Sequence, residues 1–380
     1  MPAFGQAPIP DKTDFGAVST PDILESMLRS QDHVSDLIFS PGRVPQVETH
    51  GKLAAVQSLS LRPLSADDTR RIASDLIANN KAAITMLRER GSCDVSYGLP
   101  GLARFRVNIF IQRGSCAVIM RVIPSTIPTF SALGLPPQLK NVADLQEGIV
   151  LVTGARGSGK SSTLAAILDH INREKSCHII TIEDPIEFLH SHKRATVHQR
   201  ELHSDTPSLS FALRAALRQA PKVIMIGEVH DRETMEMIFQ AAETGHLVLS
   251  SMNTIDAAST VERVASLFST AEQTGVRERF GKIFRYLISQ RLIPSANLIR
   301  RVPAVEIVTS SVQTRASISV GGNLKENLLR AIKAGASEGM QDFDGEIERL
   351  VRSEIVDLET AMANVSDPQN FSRSSRLAQL

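Results

Sequence analysis

A chain of 380 residues can hold two domains, with room for a third small unit, and can bury ample core. Charge is balanced, with 42 Lys and Arg against 41 Asp and Glu, and Trp is absent; this excludes a whole-chain field for nucleic acid and removes the usual stacking platform for single strands. Cys93, Cys116 and Cys177 are odd in number and widely spaced, a pattern that fits neither a disulfide framework nor a zinc site and points to a reducing compartment.

Residues 1–19 are punctuated by Pro and Gly and read as loose; they lack the basic and apolar regions of a signal peptide. No apolar run reaches the ~18 residues of a membrane span, so a cytoplasmic protein without membrane insertion is expected. Thr20 and Pro21 predict a helix cap and first turn, with Ile23, Leu24, Met27 and Leu28 on one face. Short strands are expected over residues 34–39, 44–49 and 53–57, the last two joined across His50 and Gly51, and a helix over 65–79. From Ala103 the pattern alternates: Phe105, Val107, Ile109 and Ile111 share one face, while Arg104, Arg106, Asn108 and Gln112 share the other. A turn at Arg113 and Gly114 leads into 116–122, giving a hairpin with a basic exposed face that also carries Arg121. Residues 20–122 therefore read as a small α+β domain, and the proline-rich stretch 123–137 as a linker.

An apolar run over 149–152 then delivers the chain to Gly154, Ala155, Arg156, Gly157, Ser158, Gly159, Lys160 and Ser161, followed by Ser162 and a helical pattern. This is a complete G-x-x-x-x-G-K-[ST] phosphate-binding loop in its strand-then-helix context. Its glycines allow backbone N–H groups to wrap a phosphate, Lys160 reaches the β- and γ-phosphates, and the Ser161 hydroxyl is a Mg²⁺ ligand. The sequence thus calls for ATP and Mg²⁺. Continuously apolar strands at 178–182, 223–226, 247–249 and 304–308 alternate with helices, for instance Met235, Ile238, Phe239 and Ala242 on one face. The fold class expected is α/β with a mostly parallel, doubly wound sheet, whose ligands bind at the carboxyl ends of the strands.

Polar residues gather at strand ends. Glu183 and Asp184 are candidates for the Mg²⁺ shell, directly or through water; Glu228 is the candidate water-positioning base, with Glu183 next in line; His246 is a candidate γ-phosphate sensor. Any one such acid is also compatible with a helix cap or a solvated loop. Arg104, Arg106, Arg113 and Arg121 are candidate fingers supplied to a neighbouring subunit, the alternatives being a solvated basic face or a weak RNA surface.

The phosphate loop, the acidic box over residues 181–188, Gly227 and Glu228, and the box over 241–246 resemble the type IV pilus retraction ATPases (PilT/PilU) of the secretion ATPase superfamily, from about residue 20 to 372. The resemblance implies a PAS-like domain over 20–122, a RecA-like ATPase core over 138–310, a helical region over 311–372 and a loose tail over 373–380. It also implies a homo-hexamer with nucleotide sites between subunits, an inner-membrane platform protein as partner at the pilus base, and a paralogous retraction ATPase as a possible companion. Nucleic acid is not expected. The chain departs from the family at His230, where arginine is usual, and at Asn253, where histidine is usual. Over residues 313–320 only Arg315 and Ile318 of the retraction motif remain, while residues 190–194, 199–201, 217–221 and 231–236 are similar to the PilU branch. Retraction, as a main or accessory motor, is the expectation; a related secretion or DNA-uptake ATPase and a slow regulator of a paralogous motor are the alternatives.

Overall fold

The computed structural model describes residues 18–56, 62–297 and 300–366 with Pro368 and Phe371, and the chain divides by internal contacts into Met1–Ser125 and Thr126–Leu380. Most of the loose segment expected over 1–19, the whole tail over 373–380, and Gln57 lie outside the described residues.

In the first unit α1 (Thr20–Arg29) is capped by Ser19, whose hydroxyl accepts from the Asp22 N–H at 3.3 Å. Thr20, expected as the cap, is instead the first helical residue and donates to Asp75 Oδ2 at 2.5 Å. Strands β1 (Val34–Phe39), β2 (Gln46–Thr49) and β3 (Lys52–Ala55) follow, with β2 and β3 turning at His50 and Gly51 as expected. Next come α2 (Ala66–Ile77), α3 (Lys81–Arg90), β4 (Ser92–Leu99), β5 (Ala103–Gln112) and β6 (Ser115–Ile123). Helix α3 and strand β4 lie outside the elements expected from the sequence; α3 fully buries only Ala83, with Ile84 and Leu87 half-buried against the same core, a weak stripe for the helix. All pairings are antiparallel in the order β3-β2-β1-β6-β5-β4. The alternation of β5 sends Phe105, Val107 and Ile109 into a core shared with Ile23, Leu24 and Met27 of α1 and Ile72 and Leu76 of α2.

The second unit opens with α4 (Phe130–Leu133), inside the stretch expected as linker. Phe130, Leu135 and Leu139 pack in one core with Val150 and Ile167, so residues from 126 onward fold with the second unit. The chain continues through β7 (Gly148–Thr153), α5 (Lys160–Glu174), β8 (His178–Glu183), β9 (Thr196–Glu201), α6 (Leu209–Ala216), β10 (Val223–Ile226), α7 (Arg232–Glu243) and β11 (Leu247–Met252). It then forms α8 (Ala257–Ser266), α9 (Gln273–Ile283), β12 (Phe284–Pro294) and β13 (Arg301–Thr309), and ends in α10 (Val312–Val320), α11 (Leu324–Ala334), α12 (Phe343–Arg352) and α13 (Leu358–Asn364). The sheet order is β13-β12-β7-β11-β10-β8-β9, and every pairing is parallel except that of β12 with the edge strand β13.

Strand β7 sits inside this sheet and is buried along its length. Ile149 and Leu151 face a core that includes Ile238 and Phe239 of α7, whereas Val150 and Val152 face one that includes Leu164, Ile167 and Leu168 of α5. Apolar residues on both faces make the strand read as a continuous hydrophobic run, and helices cover it on two sides. Ile347 and Leu350 of α12 seal the antiparallel edge against Ile293, Val302 and Ala304.

Candidate active site

The chain leaves β7 at Thr153 and enters the phosphate loop through Gly154. Gly154 has φ +149°, and a Cβ there would stand 2.4 Å from both the Gln290 carbonyl oxygen and Ser158 Oγ; at Gly159, φ +89°, it would stand 2.7 Å from Gln290 Nε2. Both positions therefore require glycine. Helix α5 starts at Lys160 with no side-chain cap, so its leading N–H groups, with their positive dipole end, are left for an anion. The buried Ser158 hydroxyl also has no hydrogen-bond partner. Ala155 and Arg156 are exposed on the loop, and Ser162 is half-buried on α5. These features fit a bound phosphate chain.

Lys160 Nζ donates to the carbonyls of Gly154 at 2.9 Å and Ala155 at 3.1 Å, and to Asn253 Oδ1 at 2.8 Å. Burial pushes its pKa below the usual lysine value, against the opposing pull of Glu228 and Glu187. Asn253 follows β11, whose last residue Met252 pairs with Thr153, so it lies level with the loop. Its Nδ2 donates to Glu228 Oε1, and His230 Nδ1 is 3.6 Å from the same oxygen. Glu228 itself lies just beyond β10, which pairs with β11. The sheet thus brings the expected base to the phosphate-loop lysine, with both departures from the family pattern in contact with that base.

The acidic box divides differently from expectation. Glu183 is buried, with Oε1 accepting from Thr181 Oγ1 at 2.6 Å and Gln199 Nε2 at 3.0 Å, and burial raises its pKa. Asp184 is exposed. The acid that meets the proposed metal ligand is Glu187, whose Oε1 accepts from Ser161 Oγ at 2.9 Å. A hydroxyl beside a carboxylate is a hard-oxygen donor pair that suits Mg²⁺. Among the described residues no group of three or more His, Cys, Asp or Glu side chains is arranged to hold a metal. A Mg²⁺ here would take its other oxygens from phosphates and water.

His246 lies at the wrong end of β11 for the role expected of it. Its carbonyl accepts from Gly148 N–H at the start of β7, and its Nδ1 is 3.0 Å from the Ala241 carbonyl. The rungs from Leu247–Gly148 to Met252–Thr153 separate it from the phosphate loop by roughly 17 Å of strand. The carboxyl-end rule, applied to β11 itself, selects Asn253 in its place.

In the first unit Arg106 and Arg121 are cross-strand partners, and Arg121 Nε donates to Asp36 Oδ1 at 3.0 Å. Arg104 pairs with Ile123 further along the same ladder. Arg113 sits apart, at the β5–β6 turn with φ +48°. About 20 Å of strand separates it from Arg106, so the four arginines are not one cluster.

Polar residues of β12 and β13 went unnoticed in the sequence. Gln290, 3% exposed, donates from Nε2 to the Ser158 carbonyl at 2.7 Å and accepts from Thr163 Oγ1 at 2.7 Å, bracketing Lys160 from below. Thr153 Oγ1 donates to Ser289 Oγ at 3.1 Å, and Glu306 Oε1 accepts from the Ala257 N–H at the start of α8 at 2.7 Å. The one available signal was a polar pair, Ser289 and Gln290, between the apolar pairs Leu287–Ile288 and Leu292–Ile293.

Comparison with known proteins places this geometry in a family. The model for "Type II/IV secretion system protein" matches residues 79–346. The chain is 39% identical over 351 residues to "Type IV pilus retractation ATPase PilT" of Pseudomonas aeruginosa, across 92% of this chain and all of that one. It is 34% identical over 337 residues to "Type IV pilus ATPase PilU" of the same organism, across 89% of this chain and 86% of that one. Among solved structures, "Crystal Structure of the Pilus Retraction Motor PilT and Bound ADP" superposes with a TM-score of 0.80 at 36% identity, covering 94% of this chain and 99% of that one. Despite the local PilU-like segments, identity is higher to PilT than to PilU. With its phosphate loop, facing glutamate and full-length similarity, the chain belongs to the type IV pilus retraction ATPases of the type II/IV secretion family.

Proposed function

We propose that the protein is a hexameric, Mg²⁺-dependent ATP hydrolase that powers type IV pilus retraction from the cytoplasmic side of the inner membrane, acting on a platform protein at the pilus base. One observation carries the reading: Lys160 and Glu228 meet through Asn253 beyond the carboxyl ends of three successive parallel strands, β7, β11 and β10. The loop N–H groups and the start of α5 would bind the phosphates, and Lys160 would exchange an internal acceptor for a β- or γ-oxygen. Glu228 would orient the attacking water and take its proton. Ser161, with Glu187 beside it, would hold Mg²⁺, which when bound would supply charge neutralisation at the phosphate oxygens. Arginines from a neighbouring subunit would complete the ring's sites.

Steady-state hydrolysis by the purified protein, followed with Lys160→Ala and Glu228→Gln, tests this. Lys160→Ala should weaken ATP binding; Glu228→Gln should keep binding and lose roughly 10²–10³-fold in kcat. Near-normal turnover in Glu228→Gln removes Glu228 as the base. A second reading, a slow regulator or accessory motor beside a paralogue, is favoured by the Asn253 and His230 contacts on Glu228. Wild-type turnover that rises only when the paralogue is added would support it.

A further inference from the structure

We propose that Asn253 is a positioning residue that latches Lys160 to Glu228, and that a triphosphate opens the latch at both ends in one event. The inference rests on the ATPase reading above and concerns this chain's own amide, at a position where its family usually carries histidine.

Chemistry fixes the orientation of the amide. A lysine ammonium can only donate and an ionised carboxylate can only accept, so Oδ1 must face Lys160 and Nδ2 must face Glu228. Lys160 has three N–H bonds, and all are used, on Gly154 O, Ala155 O and Asn253 Oδ1. A phosphate oxygen that takes one of them must displace an existing acceptor. Two of the three are backbone carbonyls, which can move away only if the loop itself moves. The third is a side chain beyond the last residue of β11, free to rotate about its own torsions. Displacement therefore falls on Asn253.

Once Lys160 leaves, Oδ1 has lost its charged partner. An amide is planar, and rotating it to find a new donor swings Nδ2 away from Glu228 as well. The carboxylate oxygen that Nδ2 had occupied becomes available to a water only when a phosphate has reached Lys160. The contact thus links arrival of substrate to release of the base, and while it is made it withholds both groups. His230, 3.6 Å from the same Glu228 oxygen, remains beside the carboxylate after the amide has moved.

The arrangement makes a prediction whose sign is opposite to that of ordinary damage. Removing the latch removes a competitor for Lys160, so Asn253→Ala should bind ATPγS on the order of tenfold more tightly, the worth of one charge-assisted hydrogen bond, and lower KM without a comparable gain in kcat. Asn253→Asp keeps the shape and gives Lys160 an ionised acceptor, so it should bind ATPγS more weakly than wild type. Affinities would be measured by titration calorimetry on the full-length oligomer, and kcat and KM by steady-state hydrolysis with Mg²⁺. Tighter binding by Asn253→Ala with weaker binding by Asn253→Asp supports the latch. Unchanged or weaker ATPγS binding by Asn253→Ala overturns it, and if that variant does not fold, binding by Asn253→Asp equal to or tighter than wild type overturns it as well. Wild-type protein that neither binds ATPγS nor hydrolyses ATP would overturn the ATPase reading instead.

Discussion

Replacing Glu306 by glutamine should stabilise the protein above neutrality and leave it unchanged in acid. This carboxyl lies on β13, 8% exposed, and burial raises its pKa from an ordinary 4.5 to about 7; the Ala257 N–H bond opposes that rise, Asp256 adds to it, and Ser289 and Arg291 oppose it. The folded state holds the proton more tightly than the unfolded chain, so the contribution of this one group to stability is fully present below pH 4.5 and is lost as pH climbs through about 7. The interval between those two values corresponds to about 3 kcal/mol at pH 8. Glutamine keeps an acceptor for Ala257 N–H and carries no charge to desolvate. Urea unfolding of wild type and Glu306→Gln at pH 4.5, 6 and 8 would measure the difference. The expected result is near equality at the lowest pH and a gain for the variant that approaches about 3 kcal/mol at the highest, reduced by any penetration of water in the wild type. A difference that does not vary with pH would refute the reasoning, because it would show that Glu306 has the same proton affinity in both states.

Gln290→Ala should leave the Ser158 carbonyl and Thr163 hydroxyl without their partner, and weaken ATP binding about tenfold while the fold persists; calorimetry with ATPγS and far-UV circular dichroism would check both parts. Gly159→Ala should abolish nucleotide binding in the same assay, since its Cβ would stand 2.7 Å from Gln290 Nε2 and its φ is +89°. For the arginines, whichever of Arg106 and Arg113 serves a neighbour's phosphates should hydrolyse poorly as its alanine variant, Arg106→Ala or Arg113→Ala, and should regain activity when mixed with Lys160→Ala. Failure of recovery in rings that demonstrably exchange subunits would assign that face to solvent or a partner. Finally, deletion of the gene should leave some twitching wherever a paralogue with an intact retraction motif is present. Complete loss of twitching beside such a paralogue would assign the main motor role to this chain. Of the two motif positions retained here, Ile318 is buried core and Arg315 is exposed.

Much of the fold was legible because its signals are local. The phosphate loop is a contiguous string, β5 alternates cleanly, and β7, β10 and β11 are short apolar runs whose burial needs no partner to be inferred. The α7 stripe of Met235, Ile238, Phe239 and Ala242 is likewise read from spacing alone, and all four are buried. What the sequence could not decide was anything satisfied across long separations. Strand β12 hid because Ser289 and Gln290 look like surface residues, yet both are buried, their hydrogen-bond partners Thr153, Ser158 and Thr163 lying more than a hundred residues earlier. The boundary near residue 125 was drawn by Phe130, Leu135 and Leu139 finding Val150 and Ile167, where the prolines alone suggested a linker. Register decided the site: a neighbour in sequence at the amino end of β11, His246, was carried away from the loop, and Asn253 at the other end was brought onto Lys160. Hydropathy and spacing report what a residue avoids or repeats; only the folded chain supplies the distant donor or acceptor that makes a buried polar group stable and gives it a task.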